Sequence, residues 1–540
     1  MINSVKYKNL INKYLPALVL LLGIALRVIY LGDIPGGYHR DEAYGAWNAF
    51  SLYKDGIDSA GHSYPVYFEA WAHGQNALNS YLMLPLIFLN GGHINTLVVR
   101  IPQVIISILT LIAVYSMIKK MFTRQTAIWA LFLLSICPWH VMMSRWGLES
   151  NLAPGFLIFG LCFWIHGLDK PKYLILSALS YGLSLYCYAT IWPVVPVMIL
   201  LQLGYSLYTR KLRFDKWLLI SGGILAALGL PLVLFLLVNM GLLPEFKIGC
   251  FSVYRMTSFR SGELVHSFSD IIKNIRNLIS LLWHQDVGRP YDVIMPYGFF
   301  YDIGRIFAVI GAMVIVVRAV ISLVKRRFSY ETFILIQLIG AAIVGCLITV
   351  SMTQVNCLYI PVVLCQAAGV MFVLHLTGQI LQRLNISRLV QPVRNIVMLL
   401  ILGIYLINLT GFQYTYYTDY KMLVSAHFQE GADMAVRFAQ KAAKDMNLSV
   451  SVNEGLKYPH VLLATETGAA EYLDTLVYSE SLPAPKQFDC DGVTFYMSID
   501  YENISDDMAY VLYFTDIELF EDYDLTQFHD WYVAVPKAAE

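Results

Sequence analysis

The sequence predicts a polytopic α-helical membrane protein that carries a small α/β domain at its C-terminal end. Three observations lead there. First, 57% of the 540 residues are hydrophobic, 14% aromatic and only 14% charged, whereas about a quarter of an ordinary soluble chain is charged. Second, apolar runs recur along the chain at close to the length, about 20 residues, that crosses a roughly 30 Å hydrocarbon core. Third, the formal net charge of zero hides an asymmetry: from Phe412 onward there are 22 acidic and 7 basic residues, so the preceding part is basic. A basic membrane part and an acidic tail belong to different environments, and nothing in this pattern suggests nucleic acid as a partner.

Eleven spans are expected, at 15–31, 97–118, 126–142, 151–167, 173–189, 192–208, 217–238, 302–324, 332–350, 358–378 and 396–411. The first run, "YLPALVLLLGIALRVIYLGD", lacks the small-residue cleavage pattern of a signal peptide and reads as a retained helix. Orientation follows from Lys and Arg in short loops. Lys6, Lys8 and Lys13, then Lys119, Lys120 and Arg124, Lys170 and Lys172, "TRKLRFDK", "KRR" at 325–327, and Arg383, Arg388 and Arg394 fill alternate loops. That face is expected to be cytoplasmic, with the N-terminus inside and the C-terminus outside.

Two long segments then fall on the outer face, 32–96 and 239–301. Connections of this length without a role are uncommon. In the first, "DEAYGAWNAFSLYKDG" and "NALNSYLMLPLIFLNGG" read as amphipathic helices at the outer membrane surface. The second is rich in Arg and His. The tail shows one amphipathic helical pattern, "FQEGADMAVRFAQKAAKDM", and then alternating runs such as "LSVSV", "VTFYMSI" and "AYVLYFT". The expected division is a membrane domain over 1–411 and an outward-facing α/β domain over 412–540. The eight cysteines have no CxxC spacing and read as small core residues.

The candidate chemistry begins at "GGYHRDEAYGAW". His39, Arg40, Asp41 and Glu42 lie together just beyond the first span. An Asp-Glu pair there can bind a cation, act as a general base, or be solvated. The aromatic context of Tyr38, Tyr44 and Trp47 and a further acid, Glu149 in "PWHVMMSRWGLESN", favour a site. His62 and His73 have no metal-ligand spacing and stand as substrate- or phosphate-binding candidates of the first outer segment. Arg27 reads as a snorkelling side chain, Arg100 in "VVRIP" as an anchor or phosphate ligand, and Arg255 and Arg260 as the phosphate candidates of the later loop.

In order and spacing, "HRDEAY", "YPVYFEAW", "NSYLMLPLIFLNGG", "VVRIP" and "CPWHVMMSRWGLESN" resemble GT-C glycosyltransferases of the protein O-mannosyltransferase and aminoarabinose transferase type. The resemblance implies a GT-C fold and transfer of a sugar from a polyprenyl-phosphate carrier on the outer face of a cell membrane, such as a bacterial plasma membrane. It implies Asp41 as general base toward the acceptor, Glu42 orienting that acceptor or sharing the charge, and Arg145 and Glu149 in the active site. His39 and Arg40 flank the pair as substrate-binding candidates. Two departures stand out: His73 and Gln75 occupy the stretch where relatives often carry a phosphate-holding lysine, and Gln354 and Asn356 the turn where an arginine is frequent. The acceptor is a protein, a lipid-linked glycan or a wall polymer. No cofactor is required on this reading; a divalent cation on Asp41 and Glu42 is the alternative that the cationic neighbourhood disfavours. A transporter or flippase, the rival class, places ionisable residues near mid-membrane, whereas here they gather at the outer ends.

Overall fold

The computed structural model describes residues 2–70, 74–257, 265, 267–479 and 484–537. The first apolar run lies in α1 (Ile2–Val28), followed by α2 (Arg40–Lys54), a two-stranded ribbon of β1 (Tyr67–Phe68) and β2 (Gln75–Asn76), and α3 (Leu78–Leu89). Next come α4 (Thr96–Met121), α5 (Arg124–Ile136), the short α6 (Pro138–Met143), α7 (Ala153–Gly167), α8 (Tyr173–Ser184), α9 (Val194–Tyr208) and α10 (Lys216–Asn239). A hairpin of β3 (Phe246–Ile248) and β4 (Phe251–Val253) leads to α11 (Phe268–His284). The remaining membrane part is α12 (Asp302–Val324), α13 (Glu331–Leu347), α14 (Tyr359–Arg383) and α15 (Val390–Tyr417), with α16 (Asp419–Phe428) continuing from it.

The expected spans fall on helices, the one at 126–142 on two of them. Among the described residues, seven helical segments are long and apolar enough to cross a membrane, and α5, α8 and α13 are shorter. The span expected at 126–142 divides into α5 and α6 because Pro138, at the first position of α6, cannot donate the backbone bond that would continue α5. Burial separates centre from periphery. In the segments containing α7 and α14, 78% and 72% of the apolar window is buried within the protein, against 17% for α10 and 22% for α15, which leaves those last two for lipid. At the tightest crossing, α12 on α14, a Cβ added to Gly311 would overlap the Cys365 carbonyl, and one added to Gly369 the Phe307 carbonyl. Small residues let the two backbones touch.

The tail folds as α17 (Ala432–Met446), β5 (Ser449–Val452), α18 (Tyr458–Ala464), α19 (Ala469–Thr475) and β6 to β11, at Val477–Tyr478, Pro485–Cys490, Val493–Tyr496, Met508–Tyr513, Asp524–Phe528 and Trp531–Val535. Its seven-stranded sheet has the order β10-β11-β9-β5-β8-β7-β6. The central β5 runs parallel to β8 and β9, and the other pairs are antiparallel. Residue 412 is not a structural break, since α15 continues through it to Tyr417.

One expectation is corrected here. α2 does not lie on the membrane surface: Glu42 to Leu52 are buried without interruption. Its small and aromatic side chains, Ala43, Ala46, Trp47, Ala49 and Phe50, share a core with Ala432, Ala435, Val436 and Leu462 of the tail. The Trp47 indole N–H donates to the Thr467 carbonyl at 2.8 Å, and the Ala470 amide to Asp55 Oδ2 at 3.0 Å. The polar Asn48 and Ser51 of α2 are buried along with the apolar side chains, so protein rather than lipid covers the helix.

Candidate active site

α2 begins with an imidazole cap. His39 Nδ1 accepts from the Asp41 amide at 3.3 Å, while the Glu42 carboxylate accepts from the His39 amide at 3.3 Å, a reciprocal box that uses two free donors of the first turn. The two adjacent carboxylates therefore leave the helix in different directions and meet opposite fates.

Glu42 is fully buried. Arg100 Nε donates to its Oε1 at 3.0 Å, Arg100 Nη2 to its Oε2 at 3.3 Å, and the Gly147 amide to Oε1 at 2.8 Å. A Cβ at Gly147 would come within 3.0 Å of that carboxylate and 2.7 Å of Val99, so glycine is needed for the approach. The remaining Arg100 donors reach the carbonyls of Leu31, Pro35 and Gly37. Arg100 thus ties the loop after α1 to α2.

Arg145 is used in the same way. Its donors go to the Ile29 and Tyr30 carbonyls at 2.7 Å each, to those of Leu26 and Ile34, and to the Tyr416 hydroxyl at 3.0 Å. Arg27, expected to snorkel, is instead fully buried and donates to the carbonyls of Gly23, Ser135 and Leu134. These three guanidiniums satisfy carbonyls at helix ends and in the loop after α1, where intrahelical partners run out.

Asp41 keeps an open side. Its side chain is 30% exposed and lies 3.6 Å from His39 Nδ1 and 3.8 Å from Nε of the largely exposed Arg40. Gln75, on β2, connects it to Glu149: its Nε2 donates to the Asp41 carbonyl at 3.0 Å and to Glu149 Oε2 at 2.9 Å. The Glu149 stretch is fixed by amides. Asn79 Nδ2 donates to Gly147 O at 2.8 Å, Gln103 Nε2 to Leu148 O at 2.8 Å, and Asn356 Nδ2 to Ser150 O at 2.7 Å. One side-chain amide therefore joins the backbone of Asp41 to the Glu149 carboxylate of a distant segment.

The other wall is aromatic. The His39 ring packs against Trp146, Tyr291 and Phe428 with centroids at 5.0, 5.6 and 5.8 Å. Burial pushes the His39 imidazole down to about 3, with Glu42 opposing, so it is neutral and free to accept at Nδ1. Tyr291 brings the second outer segment to the site; burial and then Asp292 push its phenol up, with Arg289 and Arg40 opposing. Beside it, burial pushes the Asp292 carboxyl up to about 6, with Arg289 opposing. His460 of α18 closes the back through its Nε2, 3.0 Å from the Tyr38 carbonyl.

The structure thus brings His39, Arg40, Asp41, Glu42, Arg100, Arg145 and Glu149 to one end of the bundle. His62 belongs to a separate cluster, 3.6 Å from Asp58 and stacked on Tyr254. Arg255 is exposed beside β4. His73 and Arg260 lie outside the described residues. Among the described residues, no group of three or more His, Cys, Asp or Glu is arranged to hold a metal ion. Sequence reasoning assigned no role to Arg289, Tyr291, Phe428 or His460 at this site. Gln75 was visible only as a substitute for an expected lysine.

Comparison with known proteins agrees with this architecture. Residues 80–237 match the family model described as dolichyl-phosphate-mannose-protein mannosyltransferase. Among solved structures, ArnT from Cupriavidus metallidurans bound to undecaprenyl phosphate is similar with a TM-score of 0.52 at 11% identity, covering 96% of this chain and 97% of that one. Its apo form gives 0.50 at 10% identity, with 98% of each chain covered. The oligosaccharyltransferase of Archaeoglobus fulgidus gives 0.47 at 11% identity over 84% of this chain, and the chain spans only 63% of that protein's length. No curated protein matches the chain in sequence. The chain is a multi-pass membrane protein with the GT-C fold, and its residues 80–237 carry the sequence pattern of the dolichyl-phosphate-mannose-protein mannosyltransferases.

Proposed function

We propose that the protein is a membrane glycosyltransferase that moves a sugar from a polyprenyl-phosphate donor to an acceptor hydroxyl on the extracytoplasmic face, with Asp41 as general base. The observation that carries this reading is the contrast between neighbours. Glu42 has its carboxylate oxygens taken by Arg100 and backbone amides in full burial, whereas Asp41 stands partly exposed next to a cation-bearing rim. The first turn of a helix favours negative charge, and an accessible carboxylate can take a hydroxyl proton in the transition state.

In the proposed reaction the acceptor oxygen loses its proton to Asp41 and attacks the anomeric carbon. The bond from that carbon to the phosphate oxygen breaks, and the phosphate leaves with the electron pair. Attack opposite the phosphate inverts the anomeric centre. Arg40, beside Asp41, and the exposed Arg289, two residues before Tyr291, are the cations proposed to meet the departing phosphate, since charge-assisted donors are the strong ones; Arg255 and Arg260 remain candidates from the same loop. Glu42, Arg100 and Arg145 are assigned to positioning, and Glu149, held by Gln75, to the acceptor side. The helices through α15 form the catalytic part, and the domain from α17 onward lies outside the membrane as a cover over α2.

The test is a panel of polyprenyl-phosphate sugars offered to the purified protein in proteoliposomes, reading released polyprenyl phosphate. At least one sugar should be turned over, and Asp41→Asn should lower the rate by about 10²–10⁴-fold, the usual contribution of a general base. Undiminished transfer by that variant would remove Asp41 from the chemistry.

A further inference from the structure

The second outer segment contains a helix with three faces. At 100° per residue, the α11 side chains Asn274, Leu278 and Leu281 fall on one face, and all three are buried. A second face carries Lys273, Asn277, Ser280 and His284, all exposed. The third consists of Phe268, Ile272, Ile275, Ile279 and Trp283. These follow helical spacing within an arc of about 80°, yet each is between 40% and 75% exposed. A large apolar arc in plain exposure calls for a partner.

Both ends of α11 are anchored at the ends of crossing helices. At one end, Asn274 Nδ2 donates to the Ile348 carbonyl at 2.9 Å, just past α13, and the Val265 amide donates to the Leu347 carbonyl at 3.0 Å. At the other, Arg305 in the first turn of α12 donates to the Trp283 carbonyl and lies over its ring. Gln285 Oε1 accepts the Phe299 and Phe300 amides at 2.9 and 2.8 Å. The C-terminal end of α13 and the N-terminal end of α12 lie on the same side of the membrane. A helix of 17 residues, about 25 Å long, that joins them runs along the bilayer surface.

We propose that α11 is an in-plane membrane helix whose Phe268–Ile272–Ile275–Ile279–Trp283 face is sunk into the outer lipid leaflet. Two further observations select lipid over a protein partner. The apolar arc continues through Trp283 and Arg305 onto the exposed side of α12, where Ile306, Val309 and Met313 face outward, so it extends a lipid-facing surface. Arg276 and Trp283 border the arc, and Lys273 stands on the polar side, as expected for a helix at a phosphate-bearing interface. The only acid of the helix, Asp270, is used in its N-terminal cap by the Ser267 amide. This helix leads directly into Arg289 and Tyr291, so lipid contact fixes the depth at which that loop meets His39.

The proposal is tested with the full-length protein in lipid nanodiscs, with Cys250 and Cys346 replaced by serine and a single fluorescent label at Ile279→Cys, Ile275→Cys, Asn277→Cys or Ser280→Cys. The labels at 275 and 279 should lose most of their emission to shallow doxyl-labelled phospholipid and resist aqueous iodide. Those at 277 and 280 should do the reverse. Iodide quenching of equal strength at all four positions would overturn the proposal. Protection of 275 and 279 from both quenchers would also overturn it, since a second copy or another protein would then cover the face.

Discussion

The two long outer segments treat charge in opposite ways. In the first, between α1 and α4, Glu42 is fully buried and held by Arg100 from the following helix. In the second, between α10 and α12, Arg255, Lys273, Arg276 and Arg289 are exposed, and an apolar helix face is exposed with them. Cations spent on carbonyls and a buried carboxylate build the frame. Exposed cations at the membrane surface are available to an incoming phosphate. In the proposed function, the first segment supplies precision and the second donor capture.

The sharpest way to break this contrast is to remove one partner of the buried pair. Arg100→Leu or Glu42→Gln leaves a buried ion or amide without its counterpart and should cost about 3–5 kcal/mol, seen as a large fall in Tm of the detergent-solubilised protein. An unchanged Tm would mean that the pair does not organise the loop. Gly147→Ala is expected to cost less, about 1–3 kcal/mol from overpacking, because the new methyl meets Val99 and Glu42; thermal unfolding reads this as well.

In the second segment the signs reverse. Arg289→Ala should leave Tm unchanged but raise KM for the polyprenyl-phosphate donor by about 10–150-fold, in line with a lost hydrogen bond to a charged group of about 1.5–3 kcal/mol. A fall in Tm without a change in KM would make Arg289 structural. The smallest effect expected is pH dependence. His39 titrates near 3 in the folded protein against 6.5 ordinarily, so between those values the unfolded chain binds the additional proton. Stability is therefore whole above pH 6.5 and declines as pH falls toward 3, with His427 and His460 acting in the same direction through burial. Tm at pH 5.5 should lie below Tm at pH 7.5, and His39→Asn, which retains a capping acceptor, should narrow the gap.

How much of this was readable in advance depends on distance along the chain. The spans were, because an apolar run records its own environment. So was the grouping of His39 to Glu42 at one end of the bundle, since they follow directly on an apolar run. The separation of Asp41 from Glu42 was not: it depends on Arg100 and on the Gly147 amide, 105 residues away. Arg145 and Arg100 carry no local sign that they reach the carbonyls of the loop after α1, or that Arg100 also holds Glu42. The cover over α2 comes from contacts such as Trp47 to Thr467, 420 residues apart, so an arc of alanine and tryptophan read as membrane-facing. Gln75 shows the same limit, because an amide that bridges two carboxylate-bearing segments is unremarkable in one dimension.

The division of roles between the neighbouring carboxylates can be tested in one paired measurement, taking Tm and polyprenyl-phosphate release for Asp41→Asn and Glu42→Gln side by side. The account predicts that Asp41→Asn keeps the wild-type Tm and loses about 10²–10⁴-fold in transfer, while Glu42→Gln loses Tm first. Wild-type transfer by Asp41→Asn, or a loss of activity that merely follows a fall in its Tm, would contradict it.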